Sequence, residues 1–216
     1  MRAVARCVAV SALVAFAWPA AAADDPWRLR FGAAWIDPSV GLLGDDLESD
    51  GDLGANASVE RLITPRMGFE LGAMVGDSSS DFSSEVLLGV LFSQELDIDF
   101  QALTGALNFH LTPGRPVDLY VGPLVAFIDF GDTFIEDRRS IIGLPDQVSA
   151  ADLDGSEEFA LGAQAGADFG FGGGPWALNV SAKYFETEFQ ASDGEGNSLD
   201  IDFDPLILGF GFSYRF

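Results

Sequence analysis

The sequence predicts an all-β fold: an eight-stranded antiparallel up-and-down β-barrel that crosses a membrane. Three observations predict it. The first is the ending, Leu206-Ile-Leu-Gly-Phe-Gly-Phe-Ser-Tyr-Arg-Phe216. Leu206, Leu208, Phe210, Phe212, Tyr214 and Phe216 share one face of an extended strand, and Gly209, Gly211, Ser213 and Arg215 share the other. Apolar and aromatic residues outward, with small and charged residues inward, suit a strand that has lipid outside and a lumen inside. The second is that no run of 18 or more apolar residues follows the N-terminal segment, so no transmembrane helix is expected. The third is a composition that combines 19 Phe, 25 Gly and 48% hydrophobic residues with a net charge of −23. An acidic disordered chain is poor in aromatics, so here the charge must be segregated from the apolar part.

Residues 1–23 are expected to leave the protein. Arg2 and Arg6 form a basic start, Val8 to Trp18 is apolar but too short to span a bilayer, and Pro19-Ala-Ala-Ala-Ala23 offers small residues for cleavage. This is the pattern of a secretory signal peptide, and it places the mature start at Asp24. The barrel then occupies residues 24–216, roughly 190 residues and one domain. Cys7 is the one cysteine and lies in the signal, so the mature chain is expected to hold neither thiol nor disulfide. Without Arg2 and Arg6, nine basic residues face 34 acidic ones. Nucleic-acid binding, which needs clustered Lys and Arg, is excluded on that ground.

A membrane strand needs about ten alternating residues. Trp27–Ile36 is the first, with Trp27, Leu29, Phe31, Ala33 and Trp35 outward. The acidic stretch Asp37–Asp52 reads as a loop. The second strand is Leu53–Leu62, and Thr64-Pro-Arg66 turns the chain into the third, Met67–Val75, before a polar loop from Gly76. The fourth strand, Phe100–Leu111, is followed by the turn Pro113-Gly-Arg-Pro116 and the fifth, Val117–Ile128. Asp129–Glu157 reads as a long acidic loop. The sixth strand, Glu158–Phe171, alternates most cleanly. Gly172-Gly-Gly-Pro175 leads to the seventh, Trp176–Phe189, and Ser192–Asn197 leads to the eighth, Leu199–Phe216. The alternation of this last strand changes phase near Asp204-Pro205, which predicts a bulge or break there. Val86–Phe92 is apolar and is read either as an ordered part of the second outer loop or as a strand extension above the membrane, since an odd ninth strand would put one terminus outside. Short turns alternating with long connections fit periplasmic turns and outer loops.

Sorting the inward residues by height divides the lumen. Arg28, Arg30, Glu60, Glu70, His110, Asp118, Asp168 and Arg215 fall near the periplasmic end, with Lys183 near mid-height. Their mixed signs suit a polar closure, because buried charges must be paired. Ile36, Met74, Leu124, Ala126, Phe185 and Ile207 fall near the outer end, as the candidate lining for a small hydrophobic ligand. Eight strands leave room only for side chains or one small ligand, which excludes a wide aqueous pore. Simple filling of the barrel is the competing reading of both groups.

Other signals carry less. His110 is the sole histidine and sits inward at the periplasmic end, where a structural hydrogen bond is the expectation; no nucleophile–base set is apparent and no enzyme is expected. Gly170-Phe-Gly-Gly-Gly174 lacks the Lys-Ser/Thr of a phosphate loop and opens no helix, so it is a turn. Asp45, Asp46, Glu48, Asp50 and Asp52 do not complete a calcium-loop spacing, and a solvated acidic loop is expected, with no metal or cofactor. Trp27, Trp35, Trp176 and Tyr184 are candidate anchors at the membrane–water boundaries.

Several segments resemble the OmpW family of outer-membrane proteins. Trp27-Arg-Leu-Arg-Phe-Gly-Ala-Ala-Trp-Ile-Asp-Pro38 resembles its first strand, Leu103-Thr-Gly-Ala-Leu-Asn-Phe-His110 its fourth and Tyr120-Val-Gly-Pro-Leu-Val-Ala-Phe127 its fifth. Ala163-Gln-Ala-Gly-Ala-Asp168 with Trp176-Ala-Leu-Asn179 resembles its sixth and seventh, and Asp202-Phe-Asp-Pro205 through Tyr214-Arg-Phe216 its last. The order and spacing of these motifs, rather than any one of them, carry the resemblance. It implies an eight-stranded barrel with a narrow channel for small apolar molecules, which leave sideways into the membrane. Phe216 resembles the signal read by the barrel-assembly machinery. The chain departs from the family around Ser78–Asp97 and Asp129–Glu157. The expected location is the outer membrane of a Gram-negative bacterium, with outer-membrane lipids and lipopolysaccharide as surroundings.

Two functions are therefore expected to compete. One is binding or passive passage of small hydrophobic molecules through the apolar upper lumen. The other is a filled barrel whose acidic outer loops mediate surface interaction or envelope integrity. They separate on whether an apolar space lined by Met74, Leu124 and Phe185 is open.

Overall fold

A computed structural model describes residues 27–42, 45–86, 90–141, 147–192 and 198–216. The expected signal peptide lies outside the described residues. Ten strands follow one another: β1 Trp27–Leu42, β2 Asp45–Asp50, β3 Asp52–Thr64, β4 Met67–Val86, β5 Val90–His110, β6 Val117–Ile141, β7 Gln147–Asp154, β8 Glu157–Gly170, β9 Trp176–Ser192 and β10 Ser198–Arg215. All pairings are antiparallel. β7 and β8 pair with β6 in one continuous register, from Asp132↔Asp154 to Asp129↔Glu157, and form one stave. β2 and β3 both lie between β1 and β4 and form another. Ten strands thus make eight staves, and β10 pairing with β1 from Arg28↔Arg215 to Leu42↔Ile201 closes the barrel.

Local chemistry sets the short turns. Thr112 Oγ1 donates to the Val117 carbonyl (2.8 Å) and accepts from Leu119 N (2.9 Å), so one side chain bridges the Pro113–Pro116 turn. Gly172 and Gly173 adopt φ of 54° and 82°, a region that costs glycine no Cβ strain, and this reverses the chain between β8 and β9. Pro123 has no N–H to donate, and the β5–β6 ladder skips Leu107 and Asn108 opposite it while keeping its register.

The strands run far past the lipid, and this corrects several expectations. The described residues of Asp37–Asp52 are strand more than loop: β1 continues to Leu42 and β2 begins at Asp45. No loop starts at Gly76: β4 runs to Val86 and β5 starts at Val90, paired Val86↔Val90, so Val86 and Val90–Phe92 extend these two strands and form no separate ninth strand, while residues 87–89 lie outside the described residues. Within Asp129–Glu157, the described residues up to Ile141 are the upper part of β6 and Gln147–Asp154 is β7. The described parts of these extensions show why. Outward positions there carry acids, such as Asp99, Asp129, Glu188 and Asp202, while inward positions carry Phe100, Phe130, Phe189 and Phe203, each buried. Lower down the same strands, Leu103, Val125, Val180 and Phe210 face outward and are exposed. The barrel wall is lipophilic outside at membrane height and inside above it. Water, not lipid, surrounds the upper part, so the preferred face for apolar residues reverses.

This reversal also accounts for the phase change in β10. No bulge or break occurs at Asp204-Pro205. The register against β9 is the same at Phe203↔Thr187 and Leu206↔Tyr184, and both residues stay paired to β1 as Asp204↔Ser39 and Pro205↔Pro38. Odd positions face inward from Ile201 to Ser213, and only the chemistry of the two faces changes. Where the β9 ladder skips Asp204, that side chain accepts from Thr187 N at 3.2 Å instead.

Candidate functional site

The lumen has two storeys. In the lower one, β1 supplies two cations. Arg30 donates to Glu60 Oε2 (2.8 Å), Glu70 Oε2 (2.9 Å) and Asp168 Oδ2 (3.0 Å), and its guanidinium lies 4.4 Å from the centre of the Tyr120 ring. Arg28 donates to Asp118 Oδ2 (2.7 Å) and Asp168 Oδ2 (3.2 Å). These partners come from β3, β4, β6 and β8, so the two arginines tie the barrel across its axis rather than along one ladder. Charge-assisted pairs of this kind are the strong hydrogen bonds of an interior.

His110 stands between two of the acids, with Nε2 2.9 Å from Glu60 Oε1 and Nδ1 3.1 Å from Asp118 Oδ2. Arg28 Nη1 is 3.4 Å from the same Nδ1. Its ring nitrogens thus meet two carboxylates and a guanidinium. Lys183 reaches Glu70 at 3.8 Å from the top of the cluster. Arg215 differs from the others in being only half-buried at the periplasmic rim; its Nε, like that of Arg28, has no hydrogen-bond partner among the described residues.

Neutral residues, which carry no charge pattern to mark them in the sequence, complete the network. Asn108 donates to Glu60 and Glu70 at 3.0 and 2.8 Å, Gln164 donates to Asn108 Oδ1 at 2.6 Å, and Asn179 donates to Tyr120 Oη and Asp168 at 3.1 and 2.9 Å. Their inward parity was available in the sequence, since each alternates with a lipid-facing residue.

In the upper storey, Ile36, Met74, Leu124, Ala126, Phe185 and Ile207 all point inward, and none is more than 4% exposed. Their side chains rest on protein, not on open space. Above them, Phe130 and Phe189 stack with ring centroids 3.9 Å apart, while Phe203 meets Phe130 and Phe100 edge-on at 5.4 and 5.5 Å. This aromatic cap lay beyond the strand limits expected from the sequence. Extending the same parity past the membrane boundary would have found it. The space between Met74, Leu124 and Phe185 is filled.

Among the described residues, a cleft opens in the wall. The β3–β4 ladder ends at Ala55↔Val75 and resumes between β2 and β4 at Asp50↔Ser79, so residues 51–54 face only residues 76–78. The same one-residue offset appears against β1, between Ile36↔Asp52 and Val40↔Leu47. An extra residue in one strand interrupts pairing in this way. Asp52 Oδ2 holds the upper edge of the gap by accepting from Ser79 N and Oγ at 2.9 and 3.0 Å. A Cβ on Gly76 would collide with Ile36 Cδ1, and one on Gly54 with Ile36 Cδ1 and the Val75 carbonyl. The inner side of the gap is therefore stopped by Ile36. On the outer side is a cleft of about 450 Å³ with Leu53, Ala55 and Val75 as apolar walls and Phe100 behind. Asp77, Asp99, Gln101 and Asp129 complete its lining.

The outer membrane protein beta-barrel domain model matches residues 8–216. Among solved structures, the outer membrane protein OprG from Pseudomonas aeruginosa is similar over 88% of this chain and 95% of its own, with 18% identity and a TM-score of 0.62. The outer membrane protein AlkL, solved in DMPC lipid bilayers, is similar over 92% of this chain and 95% of its own, with 19% identity and a TM-score of 0.57. At these identities the likeness is one of fold. Among curated proteins, none matches the chain.

Proposed function

The chain belongs to the outer membrane protein β-barrel domain family, and from that premise we propose that it binds small hydrophobic molecules at the outer-leaflet end of its barrel. One observation carries the reading. The interrupted β3–β4 ladder gives a cleft in the wall backed by Ile36 and Phe100, which belong to the apolar upper core. An apolar molecule in the outer leaflet meets Leu53 and Val75, which are 70% and 50% exposed, and displacing the Ile36 side chain leads inward. The lower ionic network closes the path to the periplasm, so exchange through this window is with the membrane. The resemblance of the strands to the OmpW family supports this reading, because that family implies a narrow apolar channel with sideways exit.

A second reading rests on a different observation. The near-zero exposure of Leu124 and Phe185 favours a filled barrel that serves envelope integrity or surface contact through its acidic exterior. Uptake of N-phenyl-1-naphthylamine by cells producing the protein separates the two. Leu124→Arg places a charge in the upper core, and Ala55→Trp covers the window from its outer face. Binding through the window predicts reduced uptake for both variants, while unchanged uptake with correct membrane insertion favours the filled barrel.

A further inference from the structure

Four polar atoms at the lower end of the lumen are buried without a hydrogen-bond partner among the described residues: Arg28 Nε, Arg215 Nε, Ser213 Oγ and Asp118 Oδ1. Arg28 and Ser213 are 3% and 0% exposed. Three of the four atoms are donors, and their residues are neighbours. Arg28 and Arg215 are register partners on β1 and β10, and Ser213 is the next inward residue above Arg215. Arg28 gives its other nitrogens to Asp118 and Asp168, whereas Arg215 has no carboxylate partner among the described residues. The Arg215 guanidinium reaches past β9 to β8, with Nη2 4.0 Å from the place of a Cβ on Gly170. Gly170 N donates to the Pro116 carbonyl at 2.7 Å, which brings the β5–β6 turn and its exposed Arg115 to the same side of the mouth.

We infer that the periplasmic mouth of the lumen binds a phosphate group, either free phosphate or the headgroup of an inner-leaflet phospholipid. A buried donor without an acceptor carries the full cost of its desolvation, and such groups in native proteins are met by water or an ion. Here two of the unmet donors belong to guanidinium groups, and one of those has no counter-charge. Water answers the first need only, and an anion answers both. A tetrahedral phosphate presents several acceptor oxygens at once, and guanidinium groups match its geometry. The acids above the mouth are already held by Arg28 and Arg30, so they oppose an entering anion less than free carboxylates would. The fourth atom, Asp118 Oδ1, is an acceptor. Hydrogen phosphate carries an O–H for such an oxygen, and a phosphodiester headgroup carries none. Binding at the mouth lies below the ionic network and is independent of the window in the wall.

The test uses the full chain folded in a maltoside detergent, which contains no phosphate, and reads the Nε–H NMR signals of Arg28 and Arg215. Sodium phosphate and dihexanoyl phosphatidylglycerol are the two probes, and sodium chloride at matched ionic strength is the reference. The expected result is a saturable shift of both arginine signals with at least one phosphate probe that chloride does not reproduce. The probe that saturates at the lower concentration identifies the source of the phosphate. Arg215→Gln, read at the Arg28 signal, is expected to weaken binding about tenfold or more, because a hydrogen bond from a charged group is lost. Arg66→Gln, on the β3–β4 turn, is expected to leave it unchanged. An equal response to chloride means an adventitious ion only and overturns the inference. So does the absence of a response to both probes, and so does undiminished binding in Arg215→Gln. The titrations of the unaltered protein do not depend on any variant folding.

Discussion

Phe130 on β6 and Phe189 on β9 stack nearly parallel inside the barrel, 3.9 Å between centroids and 11° between planes, at a height where the neighbouring outward residues are Asp129 and Glu188. An aromatic pair inside and carboxylates outside is the arrangement of a water-soluble barrel. The upper part of this protein is thus built like a soluble protein and stands on a membrane-embedded base built the other way round.

Phe130→Ala is expected to open a void in that upper core and to destabilise the folded barrel by about 3–5 kcal/mol, the usual cost of removing a buried Phe. Phe127→Ala, three residues earlier on the lipid face, leaves no internal void and is expected to cost less. Urea unfolding in lipid vesicles, followed by tryptophan fluorescence, measures both. Equal losses would contradict the assignment of Phe130 to a packed core.

The reversal of faces predicts a depth-dependent response to charge. Val121→Arg puts a cation on the lipid-facing wall and is expected to cost about 2–4 kcal/mol. Asp202→Arg changes an outward position above the membrane and is expected to lie within about 1 kcal/mol of the unaltered protein. The same unfolding assay decides. A large penalty at Asp202 would mean that lipid reaches that height.

Arg30 holds Glu60, Glu70 and Asp168 from one guanidinium, so its removal leaves several buried acids short of a partner. Arg30→Met is expected to cost about 3–5 kcal/mol, as breaking one side of a buried ion pair does. Arg30→Lys is expected to recover only part of this, since an ammonium lacks the forked geometry that serves several carboxylates. Full recovery by Lys would show that charge alone, rather than the fork, is what the cluster needs.

The membrane half of the barrel was readable from alternation because lipid imposes a simple rule: every second residue must be apolar. Trp27–Ile36 and Glu158–Phe171 were found within a residue or two of β1's membrane part and of β8 for that reason. The same rule truncated β4, β5 and β6, since the acids of Asp77, Asp99 and Asp129 look like loop residues when lipid is assumed outside. The ionic residues were identified by parity and mixed sign, from Arg28 and Arg30 to Asp168, although nothing local says that Arg30 meets Glu60, Glu70 and Asp168 at once. Asn108, Gln164 and Asn179 escaped notice because neutral amides carry no charge to balance.

By itself the sequence determined that this is an eight-stave membrane barrel, which residues face its interior, and that the interior is charged at one end and apolar at the other. Those properties follow from side-chain period and solvent preference, which act residue by residue. Only the tertiary structure decided that the apolar end is filled, that the strands continue into water, and that the wall is interrupted between β3 and β4. Filling depends on how side chains from opposite staves, such as Phe130 and Phe189, meet across the axis. The interruption depends on a one-residue register offset between neighbours, to which a period of two within a single strand is blind.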